Sequence, residues 1–175
     1  MRAPILAVLL IAGLAVPPAH ARAQAGPVDS QERRQGDPVD RAPWLGSWQL
    51  IPPPAGRFET PPYKKVTIRI EPWQDGIAVI YDMVRTRGGI SHMEWTGRFD
   101  GRDYPVQGVD YVLTNAYRSI DERSYEITIK RDGRAAATAV AVVSADGKTL
   151  TVTTTERAAQ EKPVSSTAIY QKLGP

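Results

Sequence analysis

The chain has 175 residues, with 22 Lys plus Arg against 19 Asp plus Glu, two His and no Cys. The absence of Cys excludes disulfides, thiolate-bound zinc, iron–sulfur clusters, thiol catalysis and a lipid-anchored N-terminal Cys. Two His cannot build a three-His metal site, and 15 Pro with 14 Gly argue against an all-helical chain.

Residues 1–25 read as an export signal. Arg2 supplies a positive start, Ile5 to Val16 is an apolar run of 12 residues, and Pro17 and Pro18 end it. Ala21 to Ala23 and Ala23 to Ala25 both fit the small-x-small cleavage pattern, so cleavage is expected after Ala23 or Ala25. A membrane-spanning helix needs about 18–20 apolar residues, and no later stretch approaches that length. The expectation is a periplasmic or secreted protein with no stable membrane insertion. Removing Arg2 and Arg22 from the 22 basic residues leaves 20 against 19 acidic ones, a net charge of +1. So small a charge gives no field for nucleic acid or anionic lipid.

Residues 26–42 are polar and aperiodic, and read as a flexible tail. From Trp44 onward, turn signals recur every 8–14 residues between runs rich in Val, Ile, Thr and Tyr. The first strand is read over 46–51. Residues 52–62 hold five Pro and form a non-helical connection. Strand 63–71 alternates Val66, Ile68 and Ile70 against Lys65, Thr67 and Arg69, as a half-buried antiparallel strand does. Asp75-Gly76 is a hairpin signal. Strand 77–84 is apolar on both faces. Strand 90–99 puts Met93, Trp95, Gly97 and Phe99 on one face and His92 and Glu94 on the other.

A short strand over 104–106 precedes a longer one over 109–120, in which Tyr111, Leu113, Asn115 and Tyr117 align. Strand 124–130 groups Tyr125, Ile127 and Ile129. After Asp132-Gly133, strand 134–143 is small and apolar. After Asp146-Gly147, strand 148–156 turns Leu150 and Val152 inward and Thr149, Thr151 and Thr153 outward. The last strand, 163–173, aligns Val164, Ser166, Ala168 and Tyr170.

Nine to ten strands joined by short connections, with no helical window after the signal, predict an all-β antiparallel up-and-down meander. A meander of this size removes its edges by closing into a barrel over residues 43–175. Such a barrel has room for one small ligand.

Four segments carry a family resemblance over residues 43–173. Trp44-Leu45-Gly46-Ser47-Trp48 resembles the Gly-x-Trp opening of the calycin superfamily, the lipocalins and fatty-acid-binding proteins. Ser166-Thr167-Ala168-Ile169-Tyr170-Gln171-Lys172 resembles the last strand of fatty-acid-binding proteins. Trp95 to Gly108, together with Asp146 to Val152, is similar to exported bacterial lipocalin-like proteins of unassigned function. The resemblance implies a calycin-like barrel and a small apolar or amphipathic ligand. The chain departs from it twice. Ala168 stands where fatty-acid-binding proteins place the Arg that holds the ligand carboxylate. The connection 52–62 is also too short and too proline-rich for their two lid helices.

Gly46 is read as permitting close backbone approach and Trp48 as plugging one end of the barrel. Met93, Trp95, Tyr117, Tyr125 and Tyr170 are the candidate lumen lining, an aromatic wall with polar handles. Ala135 to Ala141 could either accommodate large neighbours or leave room for a ligand. His92 lacks a local nucleophile, because Ser91 points to the opposite face. Asp100, Asp103 and Asp110 lack calcium-loop spacing. Arg85, Arg87, Arg98 and Arg102 are candidates for one basic rim. The expectation is a non-enzymatic binding protein, without catalytic residues, metal or cofactor, and a monomer by default. The alternative is a filled-core barrel acting through its surface as an envelope-associated interaction module.

Overall fold

The computed structural model describes residues 42–52, 63–156 and 163–174. Residues 1–25, read above as an export signal, all but the last residue of the expected tail 26–42, and positions 53–62 lie outside the described residues. Ten strands run in chain order: β1 (Gly46–Leu50), β2 (Tyr63–Trp73), β3 (Gly76–Arg85), β4 (Ile90–Gly97), β5 (Tyr104–Gln107), β6 (Leu113–Asp121), β7 (Ser124–Arg131), β8 (Arg134–Val143), β9 (Thr149–Glu156) and β10 (Val164–Lys172). Each pairs antiparallel with the next, and β1 pairs with β10, closing an all-β up-and-down barrel.

Alternation sets the sidedness. Val66, Ile68 and Ile70 of β2 are buried inside, as are Tyr125, Ile127 and Ile129 of β7, while Lys65 is exposed outside. In β3, where both faces looked apolar, the register Val79↔Trp95 and Tyr81↔Met93 turns Val79 and Tyr81 inward.

Two turns show what the sequence signals mean physically. Asp132 and Gly133 form a two-residue hairpin with φ of 50° and 75°, the positive pair that matches the twist of the flanking strands. At Asp75-Gly76 the signal marks the right place for a different reason. The loop residues are Gln74 and Asp75, and Gly76 already pairs with Trp73 in the ladder. A Cβ on Gly76 would lie 2.0 Å from the Gly97 carbonyl oxygen, so the glycine serves a close backbone approach. One strand starts later than expected. β6 begins at Leu113, and the preceding Tyr111 leaves the aligned row to place its ring 4.7 Å from the Arg131 guanidinium carbon.

The connections after β2, β4, β6 and β8 all lie at one end of the barrel, with Trp44 at the entry to β1. This end is filled. Trp44, Phe99 and Tyr125 contact one another with ring centroids 5.0–5.9 Å apart. Trp48 is wholly buried, and its indole N–H donates to the Trp44 carbonyl at 2.9 Å. The Lys172 ammonium lies 5.1 Å from the Trp48 ring centroid and donates to the Pro43 carbonyl at 3.2 Å. Gly46 takes a φ of 115°, which glycine adopts without the Cβ clash of other residues. Burying an indole contributes at most about 4–6 kcal/mol, against about 1 kcal/mol net for one hydrogen bond. Apolar burial therefore closes this end, and the Trp48 bond orients the ring.

Candidate ligand cavity

Above the filled end, the middle of the barrel keeps a cavity. Its volume is about 50 Å³. That space is partly open to solvent and has room for a few water molecules.

Four of the five sequence-selected residues line this cavity: Met93, Trp95, Tyr117 and Tyr170. Tyr125 does not. It sits one layer lower, against Trp44 and Phe99, with its ring centroid 5.5 Å from Tyr117. Trp95 and Tyr117 stack at 3.9 Å with 23° between their planes, and the Trp95 indole donates to the Asn115 backbone carbonyl at 3.1 Å. The alanines of β8 divide between two roles. Ala141 pairs with Tyr125, and the aromatic layer fills the space above it. Ala139, one pleat up and opposite Ile127, lines the cavity.

Three polar lining residues were not among those selected from the sequence. Tyr81 was hidden by the two apolar faces of β3. Asn115 is 7% exposed and stood in the aligned row of β6, where an amide in an apolar row was the available signal. Thr154 completes the set.

The Asn115 Oδ1 atom is buried and has no hydrogen-bond partner within the protein. Such an orphan costs about 1–3 kcal/mol relative to a satisfied acceptor. The hydroxyls of Tyr81 and Tyr117 are hydrogen-bonded to each other. Burial pushes the pKa of Tyr81, Tyr117, Tyr125 and Tyr170 up from the ordinary tyrosine value, so all four are neutral at physiological pH. Among the described residues, no Asp, Glu, Lys, Arg or His lines the cavity. Its chemistry is therefore an apolar wall, neutral hydroxyls and one unanswered carbonyl.

The other candidates lie outside it. His92 is exposed on the outer wall, with Nδ1 2.8 Å from Asp82 Oδ1. Ser91 instead accepts from Arg85 at 3.0 Å. Asp100 accepts from the Arg102 backbone N–H at 3.0 Å and from the Tyr104 hydroxyl at 2.9 Å, and these bonds hold its carboxyl below the usual range. Asp103 pairs with Lys130 at 2.7 Å. The four arginines do not share a rim. Arg85 and Arg87 precede β4 and Arg98 and Arg102 follow it, so one strand length separates the pairs.

No protein-family model and no curated protein matches this chain.

Proposed function

We propose that this protein is an exported, calycin-like barrel that holds a slender, uncharged molecule in its interior, head group first. Asn115 carries this reading. A buried acceptor without an internal partner, facing a cavity, is answered by a ligand N–H or O–H. The size of the cavity favours one end of an apolar chain, or a molecule of a few non-hydrogen atoms, over a whole lipid. The described lining residues are all uncharged, which favours a hydroxyl or primary amide over a carboxylate, because an unpaired buried carboxylate costs several kcal/mol. The replacement of the family's ligand-holding Arg by Ala168 agrees with a neutral head group. The kinship with calycins rests on the closed meander and the Gly46-x-Trp48 plug, although ten strands exceed the eight of lipocalins. Charged residues along the outer wall, such as Asp82 and Glu94, favour a barrel that works in water, since lipid-embedded barrels face apolar residues outward.

Titration with 1-hexanol, hexanamide and hexanoate at neutral pH, followed by the side-chain amide resonance of Asn115, tests this reading. The alcohol and amide are expected to shift the resonance, and hexanoate to bind at least about tenfold more weakly. Equal binding of hexanoate overturns the neutral-head assignment. If none of the three perturbs the cavity residues, the interior is not a ligand site.

A further inference from the structure

The outer wall of the barrel is not uniform. Around β2–β7 the outward positions carry charges, among them Arg69, Asp82, Glu94, Glu126 and Lys130. The outward positions of the other four strands, within 47–51, 136–142, 149–155 and 165–171, hold only Thr, Ser, Gln, Ala, Val and Ile. These strands are neighbours in the order β1-β10-β9-β8, so the fold gathers them into one charge-free face.

The face has an apolar centre. The Ile51 N–H bonds the Ile169 carbonyl at 2.8 Å, Ile169 pairs with Thr151, and Thr151 pairs with Val142. Ile51, Ile169 and Val142 thus form a row across four strands, and they are 45%, 44% and 43% exposed. Above the row, Thr153 bonds Thr167 at 3.2 Å and Thr155 bonds Ser165 at 2.9 Å, which fixes these side chains in place. Charges return at both margins. Ser47 of β1 pairs with Arg69, which bridges Glu71 at 3.3 Å, and Val140 of β8 pairs with Glu126. A charge-poor centre inside a charged rim is the anatomy of a protein–protein interface.

A closed barrel has no free strand edge to offer, so association has to proceed face to face. Four strands about 4.8 Å apart, with three outward positions within 47–51 and four on each of β8, β9 and β10, span roughly 19 by 25 Å. Two such faces bury on the order of 1,000 Å² together, the lower bound for a specific interface. With no charge, the face cannot select a partner by electrostatic complementarity. It does complement itself. Threonine hydroxyls both donate and accept, methyl groups meet methyl groups, and a two-fold axis sets no like charges together. We infer that this wall is the interface of a two-fold dimer of this chain, with Thr151 and Ile169 close to the axis. Its marginal area sets a reversible dimer rather than a permanent one.

Sedimentation velocity of the purified protein, from about 1 μM to about 1 mM, tests the assignment. The expected result is a concentration-dependent monomer–dimer equilibrium. Ile169→Lys and Ile169→Glu should each weaken dimerisation more than tenfold, with circular dichroism unchanged, and an equimolar mixture of the two should recover the dimer. If Ile169 variants do not fold, Thr151→Arg at the same centre takes their place. A wild-type protein that stays monomeric at the highest concentration overturns the inference, as does a folded lysine or arginine variant that still dimerises like wild type.

Discussion

Trp95 and Tyr117 stack across the lumen with their ring centroids 3.9 Å apart. These side chains stand on strands separated by β5, and they contact only because the barrel curves them toward a common interior. The stack divides the interior into a filled lower half and a cavity above. It adds about 0.5–1.5 kcal/mol beyond the area it buries.

Trp95→Ala should therefore be among the costliest single changes. Loss of a buried indole from a packed interior is expected to lower stability by about 3–5 kcal/mol. Urea denaturation monitored by circular dichroism measures it, and a loss below about 1 kcal/mol would mean that the stack does not organise the interior.

Asn115→Leu separates stability from binding. It removes the orphan acceptor while keeping the branched shape and number of side-chain heavy atoms, and the added methyl bulk faces the cavity, so the ligand-free protein should gain about 1 kcal/mol. The same variant should lose its preference for 1-hexanol over hexane of equal chain length. A destabilised variant would show that Oδ1 has a partner in solution.

The four interior tyrosines predict an alkaline limit. Their folded-state pKa values are raised above the ordinary 10.0 by burial. The unfolded chain therefore releases these protons first. The stabilisation is fully present below about pH 10 and is lost as pH rises above it, by up to about 1.4 kcal/mol per pH unit for each tyrosine. Tyrosinate absorbance of these residues should appear together with loss of the strand signal in circular dichroism. Tyrosinate forming inside a still-folded barrel would contradict the burial.

Gly46→Ala tests the plug. At a φ of 115° an alanine is strained, and its Cβ would also approach Lys172 Cε to 3.1 Å. A loss of about 1–3 kcal/mol is expected in a denaturant titration, most of it from backbone strain because the lysine side chain can move.

His92→Ala should change little. The His92–Asp82 pair is solvent-exposed on both sides, and such pairs contribute about 0–1 kcal/mol. A melting temperature close to wild type, with unchanged binding of neutral probes, is the expected outcome.

Much of this architecture is legible in the chain itself. Period-2 alternation in segments such as 63–71 and 124–130 marks strand and sidedness together, because successive side chains must point to opposite faces. Asp-Gly pairs mark hairpins, and the absence of Cys means that the domain has to be held by its own packed sheet rather than by disulfides. Alternation failed where both faces are apolar, and so Tyr81 went unseen on β3.

Other properties depend on which residues the closed sheet sets at one height. Tyr125 reads like Tyr117 on its own strand, yet it falls one layer lower, where Trp44 and Phe99 meet it. Ala139 and Ala141 are equivalent along β8, but one faces an aromatic layer and the other faces open space. The charge-free wall is spread over four segments between Ser47 and Gln171 and becomes one surface only when β1 closes onto β10. A strand's sequence specifies which way each side chain points, through its own backbone geometry. What that side chain meets is specified by the register of all ten strands, which is a property of the closed barrel alone.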